Sequence, residues 1–197
     1  MPDDPSPLHP AEHRAYRELY VACRQLSRHW GELTKALAGT KIAAILRRGA
    51  AQADALIEEL KPRTAAYGLH AGPAAYNVGA RIADLRNLVA DRGADTGMAV
   101  RLAVLDAVHV ATLLGQLAEL ARSRDDEELA GFCDEWRGRM DEQARMLRDE
   151  AVALGADPDR VAAPLGDSLL SRAVHGAGWF VGAFGEAVDK AAAGRRD

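Results

Sequence analysis

Residues 98–155 read MAVRLAVLDAVHVATLLGQLAELARSRDDEELAGFCDEWRGRMDEQARMLRDEAVALG. No proline interrupts this stretch, and it is dominated by Ala, Leu, Arg and Glu, the strong helix formers. No run within it alternates apolar and polar residues for long enough to make a strand. It therefore reads as two long helices, 98–122 and about 125–155, with a very short link between them. Ser123 and Asp126 have capping-box spacing, and Asp125, Asp126, Glu127 and Glu128 crowd the start of the second helix, where the helix dipole favours anions. So short a link forces an antiparallel hairpin. In the second helix Leu129, Phe132, Trp136, Met140, Gln143 and Leu147 recur at bundle spacing. This reading makes the fold class all-α.

Outward from the hairpin the pattern continues. The remaining prolines stand at 2, 5, 7, 10, 62, 73, 158 and 164, which leaves 11–61 as a second stretch free of helix breakers. A helix is predicted to start at Pro10, with Glu12 near its positive end. Its stripe is Tyr16, Tyr20, Cys23, Leu26, Trp30, Leu33 and Leu37, and His29, off the centre of that stripe, reads as solvated. Ala38-Gly39-Thr40 ends it, and Thr40 caps a second helix that Pro62 kinks or ends. A loop over 68–73, a shorter helix over roughly 74–91 and a turn from Gly93 to Gly97 lead back to the hairpin. The organisation expected is a flexible segment at 1–9, a helical bundle over 10–155, a linker at 156–165 and an amphipathic C-terminal helix within 166–197.

Composition removes several function classes. Twenty-five Lys and Arg against 29 Asp and Glu leave a net charge of −4, and aromatic residues make up 5% of the chain. Neither a basic surface for nucleic acid nor a base-stacking platform is present. The acidic, Pro-rich start is unlike a signal peptide, and no stretch of 18 apolar residues predicts a transmembrane segment. With two cysteines, Cys23 and Cys133, a cytoplasmic, reducing location is the expectation. Both fall on or beside apolar stripes and read as core residues. No GxSxG, phosphate loop or HExxH occurs.

Two features carry chemical content. On the helix 98–122, Leu102, Val110, Leu113, Leu117 and Leu120 cluster on one side, with Asp106 among them and His109 at the edge. A carboxylate and an imidazole one turn apart and facing a bundle core have the geometry of a metal site, and the hairpin register brings Glu142 level with them. Equally, such a pair can bond each other or a neighbouring helix as a satisfied core pair. The second feature is the segment DSLLSRAVHGAGWFVGAFGEAVDKAAAG, 167–194. Leu170, Val174, Ala177, Val181, Phe184 and Val188 recur at helical steps, and Trp179 and Phe180 widen the apolar face. Its four glycines would weaken an isolated helix by roughly 1 kcal/mol each, so it needs a surface to form against. Gly178 and Gly182 would allow close approach of another helix.

The layout of long helices around a crossover helix resembles the ferritin-like superfamily, in particular the stress-induced YciF-type branch, over roughly residues 43–155. The local trace is LDAVHVATLLGQLAELAR (105–122), similar to that family's third-helix pattern of a Glu-His-x-Glu cluster followed by a small-residue-rich apolar run. On that match Asp106 takes the place of a metal-ligating Glu and His109 that of the second Glu. GAAQADALIEEL (49–60) carries Ala and Gln at the family's ligand positions, and EWRGRMDEQ (135–143) places Gly138, Arg139 and Gln143 there. The resemblance thus implies the ferritin-like bundle with a metal site largely lost.

The functional expectation is a non-catalytic helical bundle, without cofactor, that acts through protein–protein association as a homo-oligomer or accessory stress protein. Trp179, Phe180, Phe184, Gly178 and Gly182 are its interface residues. The alternative is a ferritin-like metal-binding protein or oxidase that holds Fe or Mn on Asp106, His109 and Glu142. A small apolar ligand within the Ala-rich core is a third reading.

Overall fold

The computed structural model describes residues 8–65, 67–69 and 95–165. They are mostly helical, and among them no strand forms; a single isolated bridge joins Asp95 to Pro164. The all-α expectation holds. The helix expected over 74–91 and the C-terminal helix lie outside the described residues.

Helix α1 (Pro10–Ala36) starts where Pro10 sets its first turn. The His9 ring accepts from the Ala11 N–H at 3.1 Å, and the Glu12 carboxylate accepts from the His9 backbone N–H at 3.2 Å. Every residue of the predicted stripe, Tyr16 through Leu37, is buried. Gly39 then takes a left-handed φ of 82°, which needs a residue without Cβ strain, and the Thr40 hydroxyl accepts from the Ala43 N–H at 3.1 Å. Helix α2 (Lys41–Ala65) does not stop at Pro62. A proline so near the end removes one N–H, and the helix runs on for three residues. Its end is tied to α1 where the Tyr20 and Thr64 hydroxyls meet at 2.7 Å.

Helix α3 (Thr96–Arg122) begins two residues earlier than expected, because Asp95 caps it by accepting from the Met98 N–H. Helix α4 (Glu127–Leu154) follows a tight turn. The expected capping box at Ser123 and Asp126 is not what forms. Asp126 is itself the cap, accepting from the Leu129 N–H at 3.0 Å, while the Ser123 hydroxyl donates back to the Leu120 carbonyl. The turn demands a left-handed residue, Asp125 at φ 61°, and that moves the start of α4 past Ser123. The linker expected over 156–165 contains a short helix, α5 (Pro158–Ala162). It lies close on the start of α3: a Cβ on Gly97 would stand 2.7 Å from Val161 Cγ1, and Thr96 bonds the Ala163 carbonyl through both N–H and hydroxyl.

The contacts fix the directions. Gly49 faces Trp30 and Thr64 faces Tyr20, so α2 runs against α1. Glu18 meets His109 and His29 meets Asp106, so α3 also runs against α1. Lys41 pairs with Glu150, Glu59 with Trp136 and Arg63 with Glu128, so α4 runs against α2. The most extensive packing is between α3 and α4, as the short turn requires. One apolar core runs between the four long helices, filled at its centre by Trp30, Trp136, Leu46, Leu56, Leu114 and Met140.

Helix α3 alone among the described helices is long and apolar enough to cross a membrane, and half of its most apolar stretch is buried within the protein. Part of that hydrophobicity belongs to its packing against α1, α4 and α5, and part lies on an exposed face.

Candidate functional site

The Leu-weighted wheel of α3 misplaces its buried face by part of a turn. The deepest positions are the small ones, Ala99, Ala103, Ala107, Ala118 and Ala121, with Val100, Val110, Leu114 and Leu117; Leu102 and Leu120 are only half-buried. Small residues let α3 approach its neighbours closely, and the larger ones fill the flanks. Asp106 therefore stands at the edge of the core rather than inside it.

From that edge it reaches α1. His29 Nδ1 lies 2.6 Å from Asp106 Oδ2, the ring N–H donating to the carboxylate. His29 is buried, not solvated as the sequence suggested. The cause was legible: Ala22, Leu26, His29 and Leu33 follow one another at steps of four, three and four, and all four are buried. One turn along α3, His109 Nε2 pairs with Glu18 Oε1 at 3.4 Å, with both side chains about half exposed. Glu142 points elsewhere. Arg145, one turn further on α4, donates to both of its oxygens, at 2.9 and 2.6 Å, and this bonding holds the Glu142 carboxyl below the usual carboxylate range.

Asp106, His109 and Glu142 are thus engaged with three different partners, and the fold does not gather them. Among the described residues no three His, Cys, Asp or Glu side chains are grouped so as to hold a metal ion. As placed, these residues do not fit the Fe or Mn site of the alternative reading. The two thiols match their reading: Cys23 and Cys133 are buried, and burial pushes each up to about 12, far from an activated thiolate. The interface candidates Trp179, Phe180, Phe184, Gly178 and Gly182 lie outside the described residues.

No family model, curated protein or solved structure matches this chain.

Two features emerge that the sequence reading did not single out. One is polar. Gln52 on α2 and Gln143 on α4 stand level, since Lys41 meets Glu150 and Glu59 meets Trp136 on either side of them. Their side-chain oxygens, with Trp30 Nε1, are buried and find no partner among the described residues. An amide oxygen buried without a partner costs stability, so Gln143→Met, which keeps the volume, should raise it by about 1 kcal/mol. The denaturant midpoint would read this directly, and a comparable fall would show that Gln143 is bonded after all.

The other feature is apolar. The large hydrophobic side chains left exposed among the described residues are Met98, Leu105, Val108 and Val152, the first three on α3 and the last on α4. Met98, Leu105 and Val152 line one groove of about 660 Å³ between those helices, with Leu102, Arg101 and Arg148 also lining it. Val108 follows Leu105 by three residues. Met98, Leu105 and Thr112 share a seven-residue spacing, so a second stripe was visible in the sequence, but α3 is apolar nearly all round and periodicity alone could not rank the two.

Proposed function

We propose that this chain is a ferritin-like helical bundle that works through protein–protein association, as a homo-oligomer or an accessory stress protein of the cytoplasm, and not through metal chemistry. The observation that carries this reading is apolar surface in excess of what the four helices bury. Met98, Leu105, Val108 and Val152 are uncovered on one face, and the sequence beyond residue 165 adds Trp179, Phe180 and Phe184. Exposed apolar ground of this kind marks an interaction surface. The bundle assignment is supported by direction: α2 and α3 both run against α1, so they run parallel to each other, and the end of α2 and the start of α3 lie at opposite ends of the helices. That is the one-crossover arrangement of ferritin-like folds. The engagement of Asp106, His109 and Glu142 with His29, Glu18 and Arg145 supports a lost metal site.

Sedimentation of the full chain, beside Trp179→Asp/Phe180→Asp/Phe184→Asp, tests the proposal. The wild type is expected above the 21.1 kDa of one chain and the variant at it. A wild type that stays monomeric across concentrations overturns the association. Elemental analysis of protein purified without chelators tests the rest. Stoichiometric Fe or Mn that disappears in Asp106→Ala would overturn the loss of the metal site.

A further inference from the structure

The groove between α3 and α4 is apolar within and carries cations, Arg101 and Arg148. That pattern constrains what covers it. Pairing with the same face of a second copy would gather four arginines in one apolar interface, and like charges at an interface are costly. The occupant should be apolar and carry little charge.

The chain itself supplies such a segment. Between Ala173 and Gly185 there is no charged side chain, with Arg172 just before that stretch and Glu186 just after it. Read at 100° per residue, Leu170, Val174, Ala177, Val181, Phe184 and Val188 fall within about 80° of arc, while Trp179 falls on the opposite side, among Arg172, His175 and Glu186. A helix over 167–188 would be about 33 Å long, enough to follow α3 for most of its length. The point of departure is also right. Thr96 holds Ala163, Asp95 bridges Pro164, and Leu165 packs against the core, so the chain leaves within a turn of Met98. A tether of so few residues gives the segment an effective concentration that a separate copy does not match.

We propose that residues 167–188 form a helix seated in the α3–α4 groove of their own chain, with the Leu170-to-Val188 stripe against Met98, Leu105 and Val152. Trp179 then faces outward, on the polar side of the segment, and is free for association. The seat takes up Met98, Leu105 and Val152 together with Phe184, so association then rests on Val108 and Trp179, which lie outside it, and Trp179→Asp separates the two.

Hydrogen exchange of the full-length chain, read by mass spectrometry, tests the seat. Amides of 167–188 are expected to exchange at least about tenfold more slowly in the wild type than in Leu105→Asp/Val152→Asp, with α1 and α2 unchanged. Val174→Asp/Val181→Asp, altered only in the segment, should lose the same protection, while Trp179→Asp should keep it even where it abolishes association. Fast exchange of 167–188 in the wild type overturns the proposal. Protection that fades on dilution also overturns it, by assigning the groove to a second copy, and protection lost in Trp179→Asp but kept in Val174→Asp/Val181→Asp would put the wrong face in the groove.

Discussion

Arg124→Met is expected to cost about 3 kcal/mol of stability, seen as a fall in melting temperature of roughly 6–12 °C. The reason lies in where its partner sits. Glu12 is in the first turn of α1 with a side chain only 2% exposed, and Arg124 Nε donates to it at 3.0 Å. Another guanidinium nitrogen donates to Asp126 at 2.9 Å, and the group lies 5.7 Å from the centre of the Tyr67 ring. One side chain in the α3–α4 turn therefore ties together the start of α1, the residues after α2 and the cap of α4. Removing it leaves a buried carboxylate with the His9 backbone N–H, and breaking one partner of a buried pair is far more costly than removing both. The double variant Glu12→Gln/Arg124→Met should accordingly recover more than half of the loss. If the two single costs are small and simply add, Glu12 is not held as described.

What could be read in the sequence depended on range. The helices, their stripes, the Pro10 start and the Thr40 cap rest on neighbours within a turn or two, and local spacing reports those. The burial of His29 was within the same reach, at three residues from Leu26 and four from Leu33, but the adjoining Trp30 drew the stripe elsewhere. Glu12 was equally on the pattern, three and four residues before Ala15 and Tyr16, yet its partner Arg124 is 112 positions away and no periodicity connects them. The position of Asp106 failed for a different cause. A wheel weighted by side-chain size points to leucines, whereas closeness between helices is set by the smallest residues, and on α3 those are the alanines. An error of part of a turn is enough to move a carboxylate from a core ligand position to a rim where it meets His29.

The same rule, that small residues set how closely helices approach, gives the second large effect. Gly49 lies inside α2, where glycine would ordinarily cost about 0.5–1 kcal/mol against alanine. Gly49→Ala should nevertheless destabilise the chain, by about 2 kcal/mol net. A Cβ built there stands 2.7 Å from Cε3 of Trp30 and closer still to Cζ3, so it overlaps the six-membered ring. Trp30 is fully buried and cannot swing aside into solvent, so α1 and α2 would have to separate or the indole leave its rotamer. The sign is the test. In a Trp30→Leu background, itself costly because a large ring is lost, the overlap is gone and Gly49→Ala should turn stabilising by about 0.5–1 kcal/mol. Urea unfolding of the four proteins in this cycle would measure a coupling of 2 kcal/mol or more, taking the ~2 kcal/mol loss and the later gain together. A Gly49→Ala effect of the same sign and size in both backgrounds would mean that the indole is not what keeps position 49 small.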